Sequence, residues 1–104
     1  MTQSNIYINE VLTLMTTKKN TEFVRWLKIQ TVKAGLLQQE LAFHAGLSKN
    51  TVSKYFQGAW LPSLKNYKFI CEAIAAHQGK VEGLEKEQVE QLTHRLYVEG
   101  LRRT

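Results

Sequence analysis

The chain has 104 residues, with one Pro, six Gly, a single Cys and a formal net charge of +5. That length suits one domain with a core of its own, and a lone Cys71 leaves no intramolecular disulfide. No apolar run nears the ~20 residues needed to cross a membrane. The N-terminus also lacks a basic stretch followed by an apolar one, so the expected setting is the cytoplasm.

Residues 5–16 predict a first helix. Ile8, Val11, Leu12 and Met15 recur at i, i+3, i+4 and i+7, and Ser4 or Asn5 can cap the start. Thr16 to Asn20 breaks the pattern and reads as a linker; its Lys18-Lys19 pair is a candidate arm for a groove or phosphate, or plain solvated linker. A second helix is expected over 21–34, with Phe23, Leu27, Gln30 and Ala34 on its inward stripe, Trp26 beside it, and Gly35 ending it.

The stretch from Gln38 to Tyr55 is the most specific in the chain. It predicts two short helices, about 38–45 and 49–56, joined by a tight turn. Ala42 is small where a second helix must cross closely. Gly46 stands where the first helix stops and the backbone needs φ > 0. Leu47 points inward from the turn, Ser48 can cap the next helix, and Val52 and Tyr55 lie one turn apart on its inner face. This is the spacing of a helix-turn-helix, whose second helix enters the DNA major groove.

Gln57 to Pro62 reads as a loop. Trp60 is expected to pack beneath it as core, with a dimer interface or the sugar–phosphate backbone as alternatives. Ser63 can cap a further helix over about 64–77, with Leu64, Tyr67, Ile70, Cys71 and Ile74 on its apolar stripe and Gly79 closing it. A last helix is expected over 84–102. Val89, Leu92 and Leu96 lie on one side, and Tyr97, Val98 and Leu101 on the other, an arc broad enough for a second surface.

Charge follows the same layout. Residues 18–68 hold nine Lys or Arg against two Glu, a balance of +7, whereas 1–17 and 69–104 each come to −1. A basic excess centred on the motif is the footprint of a phosphate-facing surface.

Residues 23–75 resemble the phage repressor/Cro-like helix-turn-helix family, which includes the xenobiotic-response-element type regulators. The matching residues are Phe23, Leu27, Gly35-Leu36, Gln38 to Ala42, Gly46-Leu47-Ser48, Thr51-Val52-Ser53, Gly58, Pro62-Ser63-Leu64 and Asn66. The resemblance implies a five-helix all-α bundle, here with an extra N-terminal helix and a C-terminal helix, and symmetric dimers on palindromic operators. Two places depart from it. The buried Arg–Glu pair common in the family is replaced by Thr31 and Phe56. Leu37 stands where Ser or Thr commonly caps the first motif helix.

With Val52 and Tyr55 inward, the outward set is Lys49, Asn50, Ser53 and Lys54. Lys can donate to guanine O6 and N7, Asn can bond an adenine edge with two hydrogen bonds, and Ser adapts to either. The resemblance implies base reading at these four positions and a phosphate or bracing role at Gln38. Gln38, Ser48, Thr51, Gln57, Ser63 and Lys65 are the expected phosphate contacts, which set register without reading sequence.

The expected organisation is an N-terminal extension over 1–20, a DNA-binding unit over 21–78 and a C-terminal helix over 79–104. Val89, Leu92, Leu96, Tyr97 and Leu101 are the candidate dimerisation residues. The expected function is a homodimeric repressor binding double-stranded DNA. The alternative is an antitoxin-type module whose C-terminal helix holds a protein partner while the chain represses its own operon. Catalysis is not expected: His44, His77 and His94 are scattered, with no metal-ligand spacing, phosphate loop or nucleophile elbow. No cofactor or metal is expected, and Cys71 on an apolar stripe predicts an inert thiol.

Overall fold

The computed structural model describes residues 20–104. The helix expected over 5–16, its cap and the Lys18-Lys19 pair lie outside the described residues. The rest is helical: α1 over 20–33, α2 (Gln38–Ala45), α3 (Lys49–Phe56), α4 (Leu64–Glu82) and α5 (Lys86–Leu101), with no strand among the described residues.

Local signals set the ends of the motif helices. Gly46 adopts φ 71° and ψ 28°, and its N–H reaches back to Phe43 O, ending α2. Most residues would be strained at this backbone position, where the Cβ crowds the chain. Ser48 then caps α3, its Oγ accepting from Thr51 N–H at 3.1 Å, and Ser63 caps α4 in the same way through Asn66 N–H at 3.2 Å. Leu37 at the N-cap of α2 has no side-chain acceptor. Only the reverse bond of a capping box forms there: Leu37 N–H donates to Glu40 Oε1 at 2.8 Å. A Leu in place of Ser or Thr gives up about 1 kcal/mol of cap stabilisation.

The core is a single cluster. Phe23, Trp26 and Leu27 of α1, Leu41 and Ala42 of α2, Val52 and Tyr55 of α3, Tyr67, Ile70, Cys71 and Ile74 of α4, and Leu92 and Leu96 of α5 are all buried. Each large apolar side chain contributes roughly 1.5–3 kcal/mol on leaving water. Thr31, at a position of the missing ion pair, is buried and donates to Leu27 O at 2.7 Å, while Phe56 packs half-buried against the core. The expected stripes of α1 and α3 hold residue for residue.

One helix differs from expectation. α4 continues past Gly79 to Glu82 and ends at Gly83. Gly79 is there for closeness, since a Cβ on it would come within 2.6 Å of Val89 Cγ2 on α5. Gly100 serves the same purpose at the other end of α5, where a Cβ would collide with the Tyr67 hydroxyl and stand 2.7 Å from Trp26. These two approaches seat α5 closely against α4, and at Gly100 against Trp26 of α1 as well.

An aromatic cluster secures this seat. Tyr67 packs 6.0 Å from Phe23, 6.2 Å from Trp26 and 5.0 Å from Tyr97, centroid to centroid. Its hydroxyl donates across the Leu96 and Tyr97 carbonyls at 2.9 and 2.8 Å. Burial raises the Tyr67 pKa well above the ordinary tyrosine value. Cys71 is fully buried one turn further on, and burial pushes its thiol up to about 12, which keeps it protonated and unreactive.

Two side chains expected inside, Trp60 and Leu64, are outside, whereas Leu101 is exposed as a second surface would require. Trp60 is 54% exposed and Leu64 is 64% exposed. The expected core role of Trp60 is therefore corrected. The inward side of α4's first turn is already filled by Tyr67, so Leu64 turns out beside Leu61.

Candidate nucleic-acid interface

α2 and α3 bring the predicted reading residues onto one surface. The N-termini of the two helices flank a shallow groove lined by Leu37, Gln38, Gln39, Lys49, Asn50 and Ser53. Lys49, Asn50 and Lys54 are exposed, and Ser53 is half-buried. Among the described residues the one ion pair is Arg95–Glu99 on α5, at 3.8 Å. Neither lysine of α3 is therefore ion-paired among the described residues, and both stand open to an outside anion.

The inner face holds this surface in position. Val52 is fully buried, and Tyr55 is buried with its hydroxyl accepting from Asn66 Nδ2 at 3.0 Å. Asn66 itself follows the Ser63 cap, so α4's first turn fixes the far end of α3. On the outer face Gln57 Nε2 donates to Ser53 Oγ at 3.1 Å. The Ser53 hydroxyl keeps its own hydrogen to give.

The expected phosphate residues fall in three places. Gln38 opens α2, where free N–H groups and the positive dipole end favour an anion. Ser48 and Thr51 sit at the start of α3, but the Ser48 hydroxyl donates to Thr51 Oγ1 at 2.7 Å besides capping the helix. Its first role is thus structural. Gln57, Ser63 and Lys65 are exposed on the loop and α4 start.

Two features escape the sequence reading. Gln57 and Gly58 share a surface with Thr21, Val24, Arg25 and Lys28 of α1, so two cations of α1 extend the basic rim. Asn20 Nδ2 donates to Gly58 O at 2.7 Å and draws the two segments together. The hint was present in the charge count, but a contact 38 residues apart has no local signal. The second feature is Leu37, an apolar side chain in the wall of the groove.

The proposed dimerisation set divides. Leu92 and Leu96 are buried in the chain's own core and Val89 packs half-buried against it. These three seat α5 on α4, and Leu92 and Leu96 are corrected from surface to core. Leu101 remains accessible, in a small apolar hollow with Phe23, Leu61, Pro62, Leu64, Tyr67 and Thr104.

A family model described as helix-turn-helix matches residues 27–75. That segment is a helix-turn-helix domain of the Cro/C1 type. The helix-turn-helix spans α2, the Gly46 turn and α3, and the family is one of DNA-binding transcription regulators. Neither a curated protein nor a solved structure matches the chain significantly. No helix among the described residues is long and apolar enough to cross a membrane. No three His, Cys, Asp or Glu side chains gather to hold a metal ion among the described residues.

Proposed function

We propose that this helix-turn-helix regulator is a sequence-specific repressor that binds a palindromic operator as a homodimer. The observation that carries the reading is the groove between α2 and α3, where Lys49, Asn50 and Ser53 share one solvent-facing wall with Gln38. In the proposal Lys49, Asn50, Ser53 and Lys54 read base edges in the major groove. Gln38, Thr51, Gln57, Ser63 and Lys65 hold phosphates on either side, with Arg25 and Lys28 extending the rim.

A dimer follows from information content. One eight-residue recognition helix reads few bases, and two half-sites about 34 Å apart multiply specificity. With Leu92 and Leu96 inside the core and Val89 and Tyr97 packed against it, the proposed contact shifts to Leu101 at the end of α5, together with Leu61 and Leu64. Repression is the simplest outcome, because a bound dimer on an operator blocks access to it. The accessible hollow at Leu101 also favours the second reading, in which a protein partner covers the same edge in the manner of an antitoxin and its toxin.

The test is fluorescence anisotropy on duplexes tiled from the DNA upstream of the gene, beside a scrambled duplex, at about 50 and 200 mM salt. The proposal expects one tile to bind tightly at both salts. Equal and salt-sensitive binding to every tile would reduce the protein to a basic surface. Light scattering separates the two partner readings: a dimer at micromolar concentration supports self-association, and a monomer supports the protein partner.

A further inference from the structure

We infer that Leu37 reads a thymine by packing on its C5-methyl group, so that one apolar contact contributes to operator choice. The inference rests on the DNA-binding reading above and deepens it.

Three observations carry it. Leu37 is 62% exposed. It is the one apolar member of a groove wall otherwise made of Gln38, Gln39, Lys49, Asn50 and Ser53. Its backbone is fixed, because its N–H is held by Glu40 Oε1 at 2.8 Å while its side chain gives α2 no cap. A Ser or Thr at this position would cap the helix and offer a hydroxyl to a phosphate. Leu does neither, and in the free protein it leaves most of its surface in water. A residue that breaks a local rule of stability on a binding face gains where the ligand covers it.

The chemistry of the ligand names the occupant. Lys49 and Lys54 make this face suited to an anionic duplex, and base edges in the major groove present a single apolar group, the thymine methyl. Leu37 stands beside the hydrogen-bonding readers, where a methyl adjoining their base would meet it. Burying one methyl group against it corresponds to about a three- to fivefold gain in affinity.

The experiment removes that methyl alone. A duplex is selected by the full-length protein from a random pool, and each thymine is replaced in turn by deoxyuridine, which leaves base pairing intact. Binding of wild type, Leu37→Ser and Leu37→Met is then measured by anisotropy. The expected result is a thymine whose replacement weakens wild type about three- to fivefold. Leu37→Met keeps that sensitivity and Leu37→Ser loses it, with the response at every other thymine unchanged. Leu37→Ser should melt no lower than wild type, since Ser is a good N-cap, so its loss of methyl sensitivity cannot be unfolding. The same uracil profile in wild type and Leu37→Ser overturns the inference, even if the variant binds all duplexes more weakly, because Leu37 then touches sugar rather than base. If selection enriches no duplex, the DNA-reading premise fails and the inference falls with it.

Discussion

The α2–α3 motif and the α4–α5 pair are built on different physical principles. The motif is set by neighbours in sequence. Gly46 stops one helix, Ser48 starts the next by accepting the Thr51 N–H at its Oγ, and Ala42, Val52 and Tyr55 turn inward by periodicity. The α4–α5 pair is set by absence of bulk at two distant points, Gly79 against Val89 and Gly100 against Tyr67 and Trp26. The lesson is that a proposed DNA-reading surface can be locally encoded while the scaffold holding it depends on long-range fit.

The largest break in this comparison is expected at Gly100. Gly100→Val forces side-chain atoms into Tyr67 and Trp26 and should cost about 3 kcal/mol, lowering Tm by more than about 10 °C in a thermal melt followed by circular dichroism. Gly46→Ala has open space around the added Cβ, so only the left-handed backbone is strained, at about 1–2 kcal/mol. Equal losses in the two variants would contradict the distinction between fit and local conformation.

Cys71 sharpens the comparison through pH. Its folded pKa is raised, so the folded state holds the proton after the unfolded chain has released it. That contribution is complete below the ordinary thiol value and is lost as pH rises from about 9 towards about 12. Tyr67 acts in the same direction. Denaturant titrations should show stability falling over this range, and Cys71→Val should flatten part of the fall. A wild type whose stability rose there would contradict the buried neutral thiol.

Smaller effects belong to the motif. Ser48→Ala removes the α3 cap and should cost about 1 kcal/mol, visible as a shift in the urea midpoint at unchanged slope. Lys65→Ala should leave the fold alone, weaken specific and random duplexes alike, and lower the salt slope by about one. An unchanged slope would remove Lys65 from the phosphate contacts.

How far the sequence was legible follows from the same contrast. α1, α2 and α3 matched their expected ranges within a residue, and Ser48 and Ser63 cap as expected, because each signal lies within four residues of its effect. Gly79 was misread as a helix end because a glycine needed for a close helix crossing looks the same in sequence as one needed for a left-handed turn. Leu64 departs from its expected place because burial depends on what else fills the space, here Tyr67, and the exposure of Trp60 has no signal in its neighbours. Leu92 and Leu96 read as a surface in sequence because periodicity gives the width of an apolar arc and not what covers it. Spacing places Gln38, Lys49, Asn50 and Ser53, which share the groove, while for Leu37 it shows only a missing cap. Its place beside Lys49 and Asn50 required the turn of the two helices in three dimensions.

The most direct test of the account is the Asn50→Ala variant against a duplex selected by the wild-type protein and a scrambled control, with a melt recorded in parallel. The account predicts a loss of about 1–3 kcal/mol on the selected duplex, little change on the control, relaxed preference at one base pair in each half-site and an unchanged Tm. Equal weakening on both duplexes would contradict base reading by α3, and with it the claim that the groove between α2 and α3 is where this protein recognises its operator.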